Sequence, residues 1–173
     1  GGLSLSQSFT IKVTAVNERP TDITLSSYSI QENSVAGTVV GSLIATDPDV
    51  GDTHSFSLIG GTGLSLFEIS ASKQLVVKSG AKIDYETLVS PSVTVQATDT
   101  DGFSYQKAIT LSVKDVNEKP EDIFLSSTRL DENSASAIVG TLSVTDPDRN
   151  DRHSFTLSGL DSSQFEIVNN QLK

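Results

Sequence analysis

The sequence contains no cysteine, no methionine and no tryptophan among its 173 residues. Without cysteine, the chain has neither a disulfide framework nor a cysteine-rich zinc site. Without methionine, Gly1 is not a translation start, and residues 171–173 fall inside a predicted strand, so we expect a piece of a longer protein. Any signal peptide or membrane anchor would then lie outside these residues.

Basic residues are also scarce, since 12 Lys and Arg stand against 22 Asp and Glu and give a net charge of -10. This balance excludes a nucleic-acid partner, because phosphates call for clustered basic residues. An acidic excess instead suits multivalent cations, or simply keeps a protein in solution. Long apolar runs are missing too. The stretch at 38–46 is far short of the ~20 residues that a membrane-spanning helix needs, so we expect no membrane span.

Catalytic signatures are equally absent from the sequence. It has no nucleophile elbow and no serine triad, and no pair of carboxylates can be assigned to a catalytic cleft. We therefore predict that the chain is not an enzyme.

What the sequence does contain is a repeat of about 100 residues. VNERP at 16–20 recurs as VNEKP at 116–120, TDPD at 46–49 recurs at 145–148, and HSF at 54–56 recurs at 153–155. Residues 2–19 match residues 102–119 in the same way. We therefore predict that residues 1–19 are the last strand and linker of one repeat, residues 20–119 a complete repeat, and residues 120–173 the first part of another.

Apolar and polar residues alternate within the complete repeat, which is typical of half-buried β-strands. Val93, Val95 and Ala97 show the pattern clearly, and Ile109, Leu111 and Val113 repeat it. The runs are short, rich in β-branched residues and bounded by Gly, Asp, Asn or Pro. No helical stripe of useful length is present. Six or seven strands in about 100 residues predict an all-β, two-sheet sandwich.

Acidic and amide side chains gather where the predicted strands end. They form five groups, at residues 32–33, 47–49, 84–86, 99–101 and 115–118. Carboxylates crowded at strand ends repel one another, so folding is costly unless a cation neutralises them. Hard oxygen donors without cysteine, and with almost no histidine, select Ca²⁺, which takes ~6–8 oxygen ligands. The sequence therefore predicts calcium as the bound ion.

These motifs resemble those of cadherin repeats, in the form found in large bacterial surface proteins. The segments that carry the resemblance, in chain order, are QEN at 31–33, ATDPD at 45–49, IDYE at 83–86, ATD at 97–99 and DVNEKP at 115–120. The resemblance implies a Greek-key, immunoglobulin-like β-sandwich of the cadherin type, in tandem repeats. It also implies an extracellular or cell-surface location, with calcium bound between successive repeats and ligands drawn from both.

The resemblance further implies which residues bind calcium. The site with more of its ligands present is expected at the junction after residue 119, and a weaker half-site is expected near residue 18. The implied ligands are Asn17, Glu18, Glu32, Asp47, Asp49, Asp84, Glu86, Asp99, Asp115, Asn117, Glu118, Glu132, Asp146 and Asp148, with the backbone carbonyl of Val116. The sequence departs from the family at Glu18 and Glu118, where Asp is usual. It departs again at Arg19 and Lys119, which replace Asn and put a cation beside each site.

Simpler explanations compete at several of these positions. Asp-Pro-Asp is good turn chemistry, and the Asp-Gly at 101–102 suits a hairpin turn, so Asp101 is not a predicted ligand. Asp84 and Glu86 could also be a solvated strand end. His54 and His153 share one position of the repeat and are predicted to be exposed strand residues, because two histidines without other ligands make a poor transition-metal site.

Our prediction is a calcium-stiffened rod in a cell-surface adhesion protein, with a cell-surface protein or polysaccharide as its partner. Two alternatives remain open: a carbohydrate-binding module, or a passive spacer, of a secreted multidomain enzyme. Carbohydrate binding would call for exposed aromatic platforms, but the sequence offers three tyrosines and seven phenylalanines without tryptophan. The lack of tryptophan also removes the aromatic anchor of strand-swapped adhesion in animal cadherins, so the resemblance does not establish homophilic binding.

Overall fold

Short β-strands dominate the structure, as the alternating pattern predicts. The structure is a computed structural model that describes residues 1–134 and 137–173, and these form two compact units. The first unit comprises Gly1–Ile83 and Leu88–Lys114, and the second comprises Asp84–Thr87 and Asp115–Lys173. This division by compactness leaves the repeat boundaries at residues 19 and 119 as predictions.

The first unit contains nine strands. They are β1 Asp22–Leu25, β2 Ser29–Gln31, β3 Val39–Thr46, β4 Ser55–Gly60, β5 Phe67–Ile69, β6 Gln74–Val77, β7 Ser92–Thr98, β8 Ser104–Thr110 and β9 Ser112–Lys114. Seven of them form two antiparallel sheets, with strand orders β1-β3-β6-β5 and β4-β7-β8. The other two, β2 and β9, pair with each other in parallel.

Side chains from both sheets fill one core in the first unit. Along β7, Val93, Val95 and Ala97 are fully buried, while the polar residues between them are only half-buried. Ile23 and Phe67 bring buried side chains from the other sheet. Burying one face of each sheet is what stabilises a β-sandwich, and the alternation encodes that face. The predicted all-β, immunoglobulin-like sandwich is confirmed.

One predicted strand is divided in the structure. The alternation at residues 109–113 predicts a single strand, but β8 ends at Thr110 and β9 begins at Ser112. Between them, the backbone N–H of Leu111 donates to the carbonyl of Pro91 at 2.8 Å. The chain thereby leaves β7, its partner in β8, and joins β2 in β9. Strands of three residues are too short to show a period, so the sequence did not predict this parallel pair.

A glycine lets β3 pass close to the turn that follows β1. A Cβ atom on Gly41 would lie 2.8 Å from the backbone nitrogen of Ser27, which is closer than atoms can pack. The pairing of β3 with β6 also shifts register here, between Val39 and Gly41. In the second unit, a Cβ on Gly140 would meet the nitrogen of Ser127 at the same 2.8 Å. Both repeats therefore need glycine at this position.

The described residues of the second unit form one sheet. Its strands are β10 Asp122–Leu125, β11 Gly140–Thr145, β12 Ile167–Val168 and β13 Gln171–Leu172, with a 3₁₀ helix at Ser162–Gln164. The order β10-β11-β13-β12 matches the order of the first sheet in the first unit, and all strands described for this unit belong to it. Ile123 is 61% exposed, whereas its counterpart Ile23 is fully buried.

Residues 1–21 form no strand, and the side chains of Phe9 and Ile11 are exposed. The strand predicted within residues 1–19 is therefore not formed here. A strand needs a hydrogen-bonded partner, and the matching residues 104–114 find theirs in β7 and β2 of their own repeat. No helix in the described ranges is long and apolar enough to cross a membrane.

Candidate metal sites

The first candidate site is the loop that follows β3. It contains Asp47, Asp49 and Asp52, which we call the first-unit cluster, and one carboxylate oxygen from each lies within 4.8 Å of the others. The backbone N–H of Asp49 donates to Asp47 Oδ1 at 2.9 Å. This side-chain turn bends the loop back on itself, so that acids close in sequence converge. Asp47 and Asp49 were predicted ligands, whereas Asp52 was not.

Two other segments of the first unit reach this loop region. The backbone N–H of Glu18 donates to Asp49 Oδ2 at 2.7 Å, and the side-chain amide of Asn17 donates to Asp99 Oδ2 at 3.0 Å. Asp99 is only 6% exposed, and its Oδ1 accepts the backbone N–H of Asp101 at 3.0 Å. Asp101 itself lies exposed in the turn between β7 and β8, as predicted.

Repulsion between carboxylates shows in the electrostatics of Asp52. Burial raises the pKa of its carboxyl, and the nearby negative charges of Asp47, Asp49 and Asp99 raise that pKa further. Its Oδ2 is buried and has no hydrogen-bond partner among the described residues. A buried carboxylate oxygen without a donor is a position that a cation would satisfy.

A histidine holds the other oxygen of Asp47. His54 Nε2 lies 2.9 Å from Asp47 Oδ2, and the two side chains are 9% and 4% exposed. This bond is the main reason why the pKa of Asp47 lies below its usual range, and the backbone N–H of Asp49 adds to the effect. An ionised carboxylate only accepts hydrogen bonds, so His54 Nε2 carries the proton. The prediction that His54 is exposed is therefore wrong, because the ring packs against the loop.

The same contacts recur in the second unit, in the loop that follows β11. The backbone N–H of Asp148 donates to Asp146 Oδ1 at 2.9 Å, and His153 Nε2 lies 2.8 Å from Asp146 Oδ2. The backbone N–H of Glu118 donates to Asp148 Oδ2 at 2.6 Å. Asp151 joins Asp146 and His153 within 4.8 Å. The side chain of His153 is 22% exposed, so the prediction of an exposed strand residue is wrong here as well.

The second candidate site joins three segments of the second unit. Glu86, Asp115 and Asp148, which we call the second-unit cluster, each place one oxygen within 4.8 Å of the others. They stand about 30 residues apart in the sequence, and all three were predicted ligands. Beside Asp115, the side-chain amide of Asn117 donates to the carbonyl of Glu118 at 3.0 Å.

Asp84 supports this site from its own segment. Its Oδ1 accepts the backbone N–H of Thr87 at 2.8 Å, which closes a turn within residues 84–87. That turn also carries Glu86. The predicted ligand Asp84 therefore has a clear role in shaping the segment, and its other oxygen takes no part in this bond.

Glu32 and Glu132 occupy the same repeat position but differ in burial. Glu32 is 3% exposed and follows β2, and its backbone N–H donates to the carbonyl of Lys114 at 3.0 Å. Glu132 is exposed, and it belongs to none of the acidic clusters found in residues 1–134 and 137–173. The difference follows from the strand pairing, because Glu32 continues a parallel pair that the second unit does not contain among its described residues.

Comparison with known proteins assigns this arrangement to a family. The sequence profile of the cadherin domain matches residues 26–114, which is half of the chain. This chain belongs to the cadherin domain family. Rat cadherin-8 is 32% identical over 168 residues, covering 86% of this chain and 21% of the rat protein. Mouse cadherin-24 is 33% identical over 170 residues with the same coverage, so the chain spans about a fifth of the length of these relatives.

Solved structures of cadherin repeats share the fold. The first two extracellular repeats of human protocadherin-24 superimpose with a TM-score of 0.63 at 22% identity, covering 84% of this chain and 71% of that one. A cis-dimer structure of protocadherin gammaB7 repeats 3–6 gives a TM-score of 0.56 at 25% identity, covering 90% and 38%. The relatives named here are animal cadherins, so they do not support the bacterial form of the family that the sequence suggested.

Membership of the cadherin family also bears on the predicted location and function. Cadherin domains belong to the extracellular part of cell-surface proteins, as predicted, and cadherins are adhesion proteins rather than enzymes. Calcium binding is typical of cadherin domains. The chemistry of both clusters fits that ion, because the ligand atoms they offer are carboxylate oxygens, and the buried Oδ2 of Asp52 has no hydrogen-bond donor among the described residues.

Sequence reasoning missed Asp52 and His54, although a signal for them existed. The repeat keeps an acid five residues after the first Asp of Asp-Pro-Asp, and a histidine seven residues after it. The second copy, Asp151 and His153, preserves both offsets from Asp146. Offsets shared by two copies whose intervening residues differ indicate a structural constraint. Neither residue type stands out when the loop is read once, because Asp and His are common in exposed loops.

Proposed function

We propose that this chain binds calcium at its two acidic clusters, and that the bound ions stiffen a tandem array of cadherin repeats in a cell-surface adhesion protein. The observation that carries the proposal is the second-unit cluster. It draws Glu86, Asp115 and Asp148 within 4.8 Å from segments about 30 residues apart. Carboxylates this close repel one another, so the arrangement favours a cation among them.

The proposed ligand set keeps the residues implied by the family resemblance and adds Asp52. In the first unit, Asp47, Asp49 and Asp52 present oxygens from one loop, and Asp99 adds a buried carboxylate. In the second unit, the three carboxylates come from three segments, so an ion there would tie those segments together. Stiffening therefore rests on the second-unit cluster more than on the first.

The proposal fits an extracellular setting. Extracellular calcium modules bind with a Kd of ~10⁻⁴–10⁻³ M, so such sites are filled outside cells and largely empty in cytosol. At free calcium about a hundredfold above Kd, binding adds about 2.7 kcal/mol of stability per site. Arg19 and Lys119, which follow the two Asn-Glu pairs, are expected to lower the number of ions that each site holds.

A calcium titration by calorimetry, with melting curves alongside, tests the proposal. We expect saturable binding to the whole chain at sub-millimolar to millimolar calcium, and a higher melting temperature with calcium than with chelator. Glu86→Gln and Asp148→Asn should each weaken binding at least tenfold, because each removes a charged ligand. The matched control is Glu68→Gln, an exposed carboxylate in β5, which removes one charge outside both clusters. Equal calcium affinity in all three variants would contradict the proposal.

The adhesion partner is a separate part of the proposal. We propose that the longer protein engages a cell-surface protein or polysaccharide, with adjacent repeats of the same chain acting as the scaffold. Beads coated with this chain should aggregate, or bind a glycan array, in calcium and not in chelator. A chain that binds calcium but shows neither response would be a stiff spacer without a partner of its own.

A further inference from the structure

The two histidines make one contact that both units repeat. His54 Nε2 lies 2.9 Å from Asp47 Oδ2, and His153 Nε2 lies 2.8 Å from Asp146 Oδ2. In each case the other oxygen of the same carboxylate accepts a backbone N–H at 2.9 Å. Both oxygens of the first Asp in Asp-Pro-Asp are therefore held by the protein, and the orientation of the carboxylate plane is fixed.

Such a carboxylate can still bind a metal ion. A carboxylate offers about four lone-pair positions, and the two hydrogen bonds occupy two of them. The remaining positions belong to a side chain that no longer rotates, so the ion does not have to order it. Partners of this kind commonly set the orientation of metal ligands, and their loss typically weakens metal affinity by about 10–100-fold.

The chemical type of the donor matters as well. Elsewhere in the chain the partner of an aspartate is a lysine: Lys107 Nζ donates to Asp22 Oδ1 at 2.7 Å. A lysine beside Asp47 would neutralise the charge that attracts a cation. A histidine ring with a single N–H orients the carboxylate and leaves its negative charge available for the ion.

We infer that His54 and His153 are positioning residues for metal binding, each orienting the first aspartate of its Asp-Pro-Asp loop towards the ion. The inference rests on the proposed calcium binding of these loops. In this role neither histidine contacts the ion directly, because each acts through Asp47 or Asp146.

The test is a calcium titration of the whole chain followed by NMR, because amide shifts of Gly51 report on the first loop and those of Asn150 on the second. His54→Leu removes the donor, and His54→Gln keeps an N–H at the end of a side chain of similar length. We expect His54→Leu to raise the Kd seen at Gly51 by about 10–100-fold, and His54→Gln to recover most of the loss. The Kd seen at Asn150 should stay unchanged, and His153→Leu should show the reverse pattern.

A double-mutant cycle separates positioning from simple packing. In an Asp47→Asn background, His54→Leu should change the calcium Kd by no more than about twofold, because the charged group that the histidine orients is gone. Melting curves in chelator measure packing directly. A purely structural histidine would lower the melting temperature in chelator and leave the Kd of the folded chain unchanged.

Three outcomes overturn the inference. The first is an unchanged Kd at Gly51 in His54→Leu, and the second is a Kd in His54→Gln as weak as in His54→Leu. If His54→Leu does not fold, His54→Asn replaces it, because its shorter side chain cannot reach Asp47, and equal affinity of His54→Asn and His54→Gln is then decisive. Third, a parent chain that binds no calcium removes the proposed function itself, and this inference with it.

Discussion

The two units carry the same acidic loop in different surroundings. The loop after β3 stands at the end of a two-sheet sandwich, whereas the loop after β11 belongs to a unit whose described strands form one sheet. Three hydrogen bonds nevertheless agree closely between the units. The bond from backbone to first Asp is 2.9 Å in both, the histidine bond is 2.9 against 2.8 Å, and the glutamate N–H bond is 2.7 against 2.6 Å. The first two bonds lie within the loop, so its internal geometry follows from its own sequence, whereas the third comes from the Asn-Glu segment that both units also repeat.

The burial of matching side chains, in contrast, differs between the two units. Phe67 is 1% exposed in the first unit, and its counterpart Phe165 is 38% exposed in the second. Glu32 and Glu132 differ similarly. These residues are identical in type and in repeat position, so the difference lies in what faces them. Local hydrogen bonding comes from the loop sequence, whereas burial comes from strands far away in the chain.

The largest effect that tests this comparison is expected at the paired phenylalanines. Phe67→Ala should destabilise the first unit by about 3–5 kcal/mol, because it removes a fully buried aromatic ring and leaves a cavity. Phe165→Ala should cost the second unit about 1 kcal/mol, because its ring is already partly in water. Hydrogen exchange followed by NMR measures each unit separately.

If Phe67→Ala and Phe165→Ala lower the free energy of unfolding equally, the second unit buries its ring in solution as fully as the first. The comparison of burial would then fail, while the agreement of the loops would stand. Thr24→Ala, an exposed position in β1, serves as the control, and we expect it to change stability by less than about 0.5 kcal/mol.

The next largest effect concerns calcium and distinguishes a local site from a connecting one. An ion at the second-unit cluster should slow hydrogen exchange in residues 84–87 and 115–118 by about a hundredfold at saturating calcium, which corresponds to about 2.7 kcal/mol. An ion at the first-unit cluster should slow exchange mainly in residues 47–52. The reason is that the first cluster draws its three acids from one loop, and the second draws them from three segments.

Two variants separate these effects. Asp115→Asn should abolish the calcium-dependent protection of residues 84–87 and leave the loop at 47–52 protected. Asp49→Asn should do the reverse. Loss of protection in both regions from either variant would mean that the two clusters do not act independently.

The sequence predicts the fold well because its signals are local and repeated. The alternation of Val93, Val95 and Ala97 identifies a strand with one buried face, and the structure confirms it. It does not predict the β2–β9 pair, since parallel pairing of two three-residue strands depends on contacts between distant parts of the chain.

For the candidate sites, too, the sequence predicts one part of the arrangement and misses another. Motif order suggests Asp47 and Asp49 as ligands, and the structure brings them together with Asp52, which the motif omits. The role of His54 depends on how the loop folds back to place a ring seven residues away against a carboxylate. A residue type alone does not reveal that geometry, although its recurrence at the same offset in the second copy was a usable sign.

A smaller effect, equal in both units, is expected at the paired glycines. Gly41→Ala and Gly140→Ala each put a Cβ 2.8 Å from a backbone nitrogen, so one strand must move away from the neighbouring turn. We expect each to destabilise its own unit by about 1–3 kcal/mol, measured by hydrogen exchange. The control is Gly51→Ala, where a Cβ would meet no atom within 4 Å, although its φ of +97° adds backbone strain. If only one of the two glycine variants is destabilised, the turns that follow β1 and β10 differ in structure.

The smallest effect is expected from the ion pair between Lys107 and Asp22, which is described in the first unit only. Lys107 lowers the pKa of Asp22, and the backbone N–H of Ile23 lowers it further. Because the folded pKa lies below the unfolded value of about 3.9, Asp22 contributes stability that is fully present at neutral pH and is lost as the pH falls through the folded pKa. We expect Lys107→Gln to lower the melting temperature slightly at pH 7 and not at all below pH 2. The effect is small because the two side chains are 36% and 43% exposed.

The second unit supplies the control for this ion pair. Asp122 accepts the backbone N–H of Ile123 at 2.8 Å, as Asp22 does from Ile23, but it has no lysine partner within the described ranges. Asp122→Asn should therefore change the acid response of the second unit less than Asp22→Asn changes that of the first. If Lys107→Gln lowers the melting temperature equally at pH 7 and pH 2, the lysine stabilises the sheet through its packed methylene stem rather than its charge. Charge would then play no part in the difference between the units, which would reduce to the second sheet that the described strands form in the first unit alone.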